Sequence, residues 1–229
     1  PRLQIGRTGT PFFGRDVEYL APGQAAIIDA SDLGTPVASL KDLPPGDYVV
    51  QAFVNLYSEF RRADGHTVWM HDDQWEGQHW NASPGNLYSR PQTVRIDQAT
   101  ERIRLSTDQV IGPVIVPAET AFVTRIKIQS PLLTKFWGRP IYLGATVLLP
   151  RDHETATVKY PVLYRQGHFS LGAPLGFEEG GDLHAAWMRD DFPRMVVVTL
   201  QHPAPYFDDS YGVNSVNVGL DAKAFIDGL

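Results

Sequence analysis

Apolar and polar positions alternate most regularly over Tyr48 to Tyr57. Tyr48, Val50, Ala52, Val54 and Leu56 form a wholly apolar series, and Val49, Gln51, Phe53, Asn55 and Tyr57 a mixed one. A period of two predicts a strand lying on a core, and the turn signal Pro44-Pro45-Gly46-Asp47 sets its start. Ala25 to Ile28, Thr67 to Met70, Gln92 to Ile96 and Arg102 to Leu105 read as further strands, each bounded by Gly, Pro, Asp or Asn. No amphipathic helical pattern interrupts them before Ser106. Short strands at this spacing predict an antiparallel β-sandwich.

The bracketed stretch Gly112-Pro113-Val114-Ile115-Val116-Pro117 predicts an extended connector, so the chain divides into residues 1–112 and 113–229. Phe122 to Gln129 and Ile141 to Leu149 then predict two long strands, and Tyr160 to Tyr164 a shorter one. Asp182 to Arg189 places Leu183, Ala186 and Trp187 at helical spacing, with Asp182 as the expected N-cap. Met195 to Leu200 is a continuous apolar run, the pattern of a parallel strand buried on both faces. Strand, helix and strand make a βαβ unit, in which Val162 and Val197 belong to neighbouring strands running the same way. Leu220 to Leu229 closes the sequence with Ala222, Phe225, Ile226 and Leu229 on one helical face. The expected fold class is mixed: an antiparallel β-sandwich, then the first part of a mostly parallel α/β sheet.

Composition narrows the function classes. Of the 229 residues 43% are hydrophobic and 20% charged, which suits a folded domain rather than a disordered chain. The net charge is −6, with 10 basic and 14 acidic residues up to Gly112 and 10 and 12 after it, so neither half offers the basic face a nucleic acid would need. No apolar run approaches the length of a membrane-spanning helix, so no membrane partner is expected. Without Cys there is no thiolate metal site and no cysteine nucleophile, and the compartment stays open between cytoplasmic and exported.

Ligands of α/β sheets sit beyond the carboxyl ends of the strands, which directs attention to the segments after Tyr164 and Leu200. The first, Gln166-Gly167-His168-Phe169-Ser170-Leu171-Gly172, is a Gly-bearing turn whose N–H groups can hold a developing oxyanion. The second, His202 to Tyr211, offers aromatic faces and carboxylates.

Tyr160-Pro-Val-Leu-Tyr, Gln166-Gly-His-Phe, Arg194-Met-Val-Val-Val-Thr-Leu, Tyr206-Phe-Asp-Asp-Ser-Tyr and Asn214-Ser-Val-Asn-Val-Gly follow in order. Together they resemble the esterase family of α/β-hydrolases that includes feruloyl esterases, S-formylglutathione hydrolases and mycolyltransferases. The resemblance covers about Ile126 to Gly219 and is closest to large bacterial members with a β-sandwich before the hydrolase domain. It implies an oxyanion loop at Gly167, His168 and Phe169, with the glycine before the histidine rather than after it, which leaves open which N–H donates. It also implies that Tyr206, Asp208, Asp209 and Tyr211 line an acyl or leaving-group pocket. The family's nucleophile stands on a G-x-S-x-G elbow. Ser31, Ser170 and Ser215 all lack the flanking glycines, so no triad can be assembled from these residues. The expectation is the front portion of a serine esterase or acyl hydrolase, inactive by itself, acting on a small ester or acylated carbohydrate. No cofactor is expected, and a second chain could complete the sheet.

Other constellations invite chemistry. His66 to Trp80 gathers three His, three acidic residues and three Trp in fifteen positions. Its spacing matches no metal signature, so no metal is expected there. Trp69, Trp75 and Trp80 could stack on a sugar or meet a protein, which is the alternative reading: a non-catalytic binding module. Trp75 could equally lean over the hydrolase cleft. The acidic pairs Glu178-Glu179, Asp190-Asp191 and Asp208-Asp209 lack the alternating oxygen ligands of a calcium loop.

Overall fold

The computed structural model describes residues 1–6, 9–97, 99–220 and Lys223, and the helix expected over Leu220 to Leu229 falls outside them. Two compact units emerge: Pro1–Asn55 with Gly85–Gly112, and Leu56–Pro84 with Pro113–Leu229. In chain order the strands of the first half are β1 (Phe12–Gly14), β2 (Leu33–Thr35), β3 (Gly46–Val50), β4 (Phe53–Val54), β5 (Tyr57–Arg61), β6 (Thr67–His71), β7 (Leu87–Tyr88), β8 (Gln92–Ile96) and β9 (Gln109–Val110). All but β5 and β6 belong to the first unit.

That unit contains three small antiparallel sheets, β1-β2, β3-β8 and β4-β7-β9, in place of the two broad sheets of the expected sandwich. The long strand over Tyr48 to Tyr57 is broken. Its first part keeps the predicted alternation, with Tyr48 and Val50 half-buried and Val49 exposed. At Gln51 and Ala52 side chains take over from the ladder: Gln51 donates to the Ser89 carbonyl, and the Ala52 N–H donates to the Ser89 hydroxyl. Ala25 to Ile28 and Arg102 to Leu105 form no strand, and Ile27 and Ile28 are exposed. Apolar character at Ile27 and Ile28 does not correspond to burial, whereas Ile103 and Leu105 are half-buried beside exposed arginines without joining a ladder.

The second unit is built on β10 (Val123–Gln129), α1 (Pro131–Trp137), β11 (Tyr142–Leu148), β12 (Val162–Arg165), α2 (Asp182–Trp187), β13 (Val196–Gln201), β14 (Asn214–Ser215) and β15 (Gly219–Leu220). One four-stranded sheet has the order β10-β11-β13-β12. The parallel pairing expected of the βαβ unit is present, with Val162 opposite Val196 and Leu163 opposite Val197. The other two pairings, β10 with β11 and β11 with β13, are antiparallel. The expected fold class is therefore corrected. Among the described residues the sheet is mixed with a single parallel pair, helix is sparse, and no extended parallel α/β-hydrolase sheet is formed.

Successive side chains of a strand point to opposite faces, so Leu143 and Leu148 of β11 serve different cores. Leu148 joins Val123, Val197, Phe177 and Trp187 of α2 in one cluster, while Leu143 meets Leu133 of α1 in another. Both helices thus cover the sheet, and β11 is buried almost throughout. Helix α1 carries terminal signals of its own. The Ser130 hydroxyl accepts the Leu133 N–H, Pro131 opens the first turn, and Gly138 ends the helix at φ 66°. Helix α2 starts one residue earlier than the cap expectation, with Gly181 at the N-cap and Asp182 in the first turn, where a carboxylate suits the helix dipole. Strand β12 lies at the sheet edge and all four of its residues are exposed.

Hairpin β5-β6 belongs with this second unit, although the sequence reading assigned residues 56–84 to the first. Phe60, 4% exposed, stacks on Tyr206 at 4.7 Å and meets Trp137 edge-on at 6.0 Å. Arg139 binds Asp72 through two hydrogen bonds of 2.6 and 2.7 Å, a fork geometry that fixes direction as well as distance. These contacts join residues far apart in sequence, so no local pattern announces them.

Candidate functional site

The carboxyl end of β12 leads directly into a pocket of about 440 Å³ lined by Arg165, Gln166, Gly167, His168, Ser170 and Thr199, with residues 172–178 completing the wall. The loop after β12 is held from below on several sides. Arg125 of β10 donates to the Leu171 carbonyl at 2.7 Å, Gln201 of β13 donates to the Ser170 carbonyl at 2.5 Å, and the Phe169 N–H donates to Asp209 at 2.6 Å. Phe169 is itself buried, its ring meeting the Trp75 edge at 5.1 Å. A loop fixed at 169, 170 and 171 leaves the preceding Gly167 and His168 at the pocket rim.

Among the described residues no acceptor engages the N–H of Gly167 or of His168. The N–H of Phe169 is committed to Asp209. The oxyanion-loop expectation thus falls on three residues of unequal standing, with two donors open and one spent on structure. Thr199 contributes a further group: its buried hydroxyl has no hydrogen-bond partner, although an orphan of this kind is costly in a folded interior. Arg165 lines the same pocket and forms no ion pair with any described residue.

The loop after β13 has a different construction. Its two ends are tied by an isolated antiparallel bridge between Pro203 and Asp209, and by the Tyr211 N–H donating to His202 Nδ1 at 3.1 Å. Phe207 and Tyr211 occupy left-handed backbone at φ 71° and 54°, a conformation that costs a bulky residue about 1 to 3 kcal/mol. Of the residues expected to line the pocket, Tyr206 lies instead in the aromatic core at 2% exposure. Asp208 and Tyr211 are exposed, and Asp209 is buried. The Tyr211 hydroxyl lies 3.1 Å from His168 Nδ1 and 3.3 Å from Asp208. Burial, then the neighbouring Asp208 carboxylate, holds the Tyr211 phenol above its ordinary value. Burial likewise raises Asp209, opposed by the Phe169 N–H.

Beneath these loops the turn from His71 to Gln78 forms a polar knot. His71 and Glu76, both buried, share a hydrogen bond of 2.5 Å. The Asp73 carboxylate accepts the N–H groups of Trp75 and Gln78, and its own N–H donates to the Pro205 carbonyl. Burial, followed by the charge of Glu76, pushes Asp73 up to about 6. Trp75, expected as a ligand contact, carries the Lys127 ammonium 4.0 Å above its ring and Phe169 at its edge. Trp69 by contrast is 60% exposed on β6, so the three tryptophans differ in surroundings.

The sequence places His168 in one loop and Asp208 and Asp209 in another, and nothing local signals their convergence across forty positions. Thr199 had a faint signal as the one hydroxyl inside the apolar run Met195 to Leu200. Asp73 had none beyond its place in a crowded polar loop. The chain matches no protein-family model, no curated protein and no solved structure.

Proposed function

We propose that this chain supplies the oxyanion-loop side of an acyl-hydrolase site, binding a small ester or the acyl group of an acylated carbohydrate, without a nucleophile of its own. The single observation that carries the reading is the pair of unengaged N–H groups at Gly167 and His168 on the rim of a pocket of about 440 Å³. Fixed donors aimed at one point stabilise an anionic oxygen without reorganising, which is the physical basis of an oxyanion hole. The Thr199 hydroxyl adds a third polar contact for the bound group, and Arg165 would favour an acid-bearing substrate. The loop is braced by Arg125, Gln201 and Asp209, so its donors are positioned before a ligand arrives.

Calorimetric titration with the methyl monoester of phenylphosphonic acid, a tetrahedral monoanion, tests it. We expect one equivalent to bind and Thr199→Val to weaken binding several-fold while leaving the fold intact, because the hydroxyl has no protein partner to lose. Turnover of p-nitrophenyl acetate should not exceed the buffer rate. Absence of binding at millimolar phosphonate would refute the pocket assignment. Turnover abolished by a serine-directed inhibitor would refute the missing nucleophile.

A further inference from the structure

The loops after β12 and β13 bring together one imidazole and two carboxylates that are far apart in sequence. His168 Nδ1 lies 3.7 Å from Asp208 Oδ1 and 3.5 Å from Asp209 Oδ2, and one ligand atom from each residue falls within 4.8 Å of the others. Two ligands bound tetrahedrally at about 2.1 Å from a zinc-like ion stand about 3.4 Å apart, so these separations fit a shared centre with little movement. We propose that His168, Asp208 and Asp209 form a binding site for one divalent transition-metal ion.

Three features support this over a simple surface ion pair. The Asp209 side chain is 2% exposed and accepts the Phe169 N–H, yet among the described residues no Lys or Arg bridges it, so an anion is buried with little compensating positive charge. His168 is 73% exposed in its side chain and can turn its ring without disturbing the core. The Tyr211 hydroxyl lies 3.4 Å from His168 Nε2, the ring nitrogen left over when Nδ1 binds a metal, and 3.3 Å from Asp208, where it can orient both ligands. Mixed nitrogen and carboxylate donors favour zinc, manganese, cobalt or nickel over calcium or magnesium, which prefer oxygen alone. The site adjoins the pocket through His168, but the inference does not depend on the ester reading.

Titration of the full chain with Zn²⁺ alone, followed calorimetrically, tests the site, with Co²⁺ as a spectroscopic probe. The expected result is one equivalent bound at micromolar concentration, with visible cobalt bands of a nitrogen- and oxygen-ligated ion. His168→Gln and Asp208→Asn should each weaken binding at least tenfold. Both side chains are exposed, so unchanged circular dichroism should accompany the loss. Asp209→Asn serves as a third variant, read only if its melting transition stays cooperative. Binding no tighter than millimolar, or binding unaltered by the first two substitutions, overturns the proposal.

Discussion

Replacing Asp73 by Asn should change how stability depends on pH. The Asp73 carboxyl is raised from 3.8 to about 6, chiefly by burial and then by Glu76, against the pull of the Gln78 and Trp75 N–H groups. Because the folded value exceeds the unfolded one, the native state holds this proton more tightly. The contribution of this group to stability is fully present below about pH 3.8 and is lost as pH rises through about 6, the opposite of the usual salt-bridged carboxylate. At about 1.36 kcal/mol per pH unit, that interval amounts to about 3 kcal/mol. Asn retains one acceptor oxygen and loses one of two hydrogen bonds, a cost of about 1 kcal/mol that does not vary with pH. Urea unfolding of both proteins from pH 4 to 7.5 isolates the effect. The stability of the variant relative to the native protein should rise by about 2.5 kcal/mol across this range, the rest of the interval lying below pH 4. A difference that stays constant with pH would refute the reasoning, since it would mean that Asp73 carries no proton at pH values where a solvated Asp has lost it.

Two further substitutions probe the supports of the site. Gly77 has φ +69°, and a Cβ added there would lie 2.6 Å from the Phe169 ring, so Gly77→Ala should cost about 2 to 4 kcal/mol in thermal or urea unfolding. An unchanged melting temperature would show that Phe169 is not wedged against this turn. Strand β12 exposes Val162, Leu163 and Tyr164 at 45%, 43% and 68% along a sheet edge unpaired among the described residues, which invites strand addition. Sedimentation velocity should show concentration-dependent association that Leu163→Lys suppresses, and a monomer at every concentration would contradict this.

Legibility of the fold followed the range of the interactions. The strands expected over Thr67 to Met70 and Gln92 to Ile96 are present, the first one residue longer, because a strand with one buried face writes its period into the sequence. The parallel pair was visible for a different reason: Met195 to Leu200 is a continuous apolar run rather than an alternating one. Helix α1 was not anticipated, although Ser130-Pro131 and Gly138 mark both its ends. The mostly parallel sheet was inferred from one βαβ unit, and a single unit cannot fix the direction of the strands beside it. At the site, the loop after β12 could be picked out by its glycine and histidine. What could not be read was the division of labour within it, because that is set by Asp209, Gln201 and Arg125 reaching in from elsewhere. Tyr206 illustrates the same limit from the other side. Its motif suggested a ligand contact, whereas Phe60 and Trp137 claim it for the core.

The most direct test of the oxyanion-loop account is site-resolved. In ¹H–¹⁵N correlation spectra, added phenylphosphonate methyl ester should move the Gly167 and His168 amide protons downfield together, while the Phe169 amide, held by Asp209, stays in place. Shifts confined to other residues, with Gly167 and His168 unmoved at saturating ligand, would contradict the claim that these two donors hold the anionic oxygen.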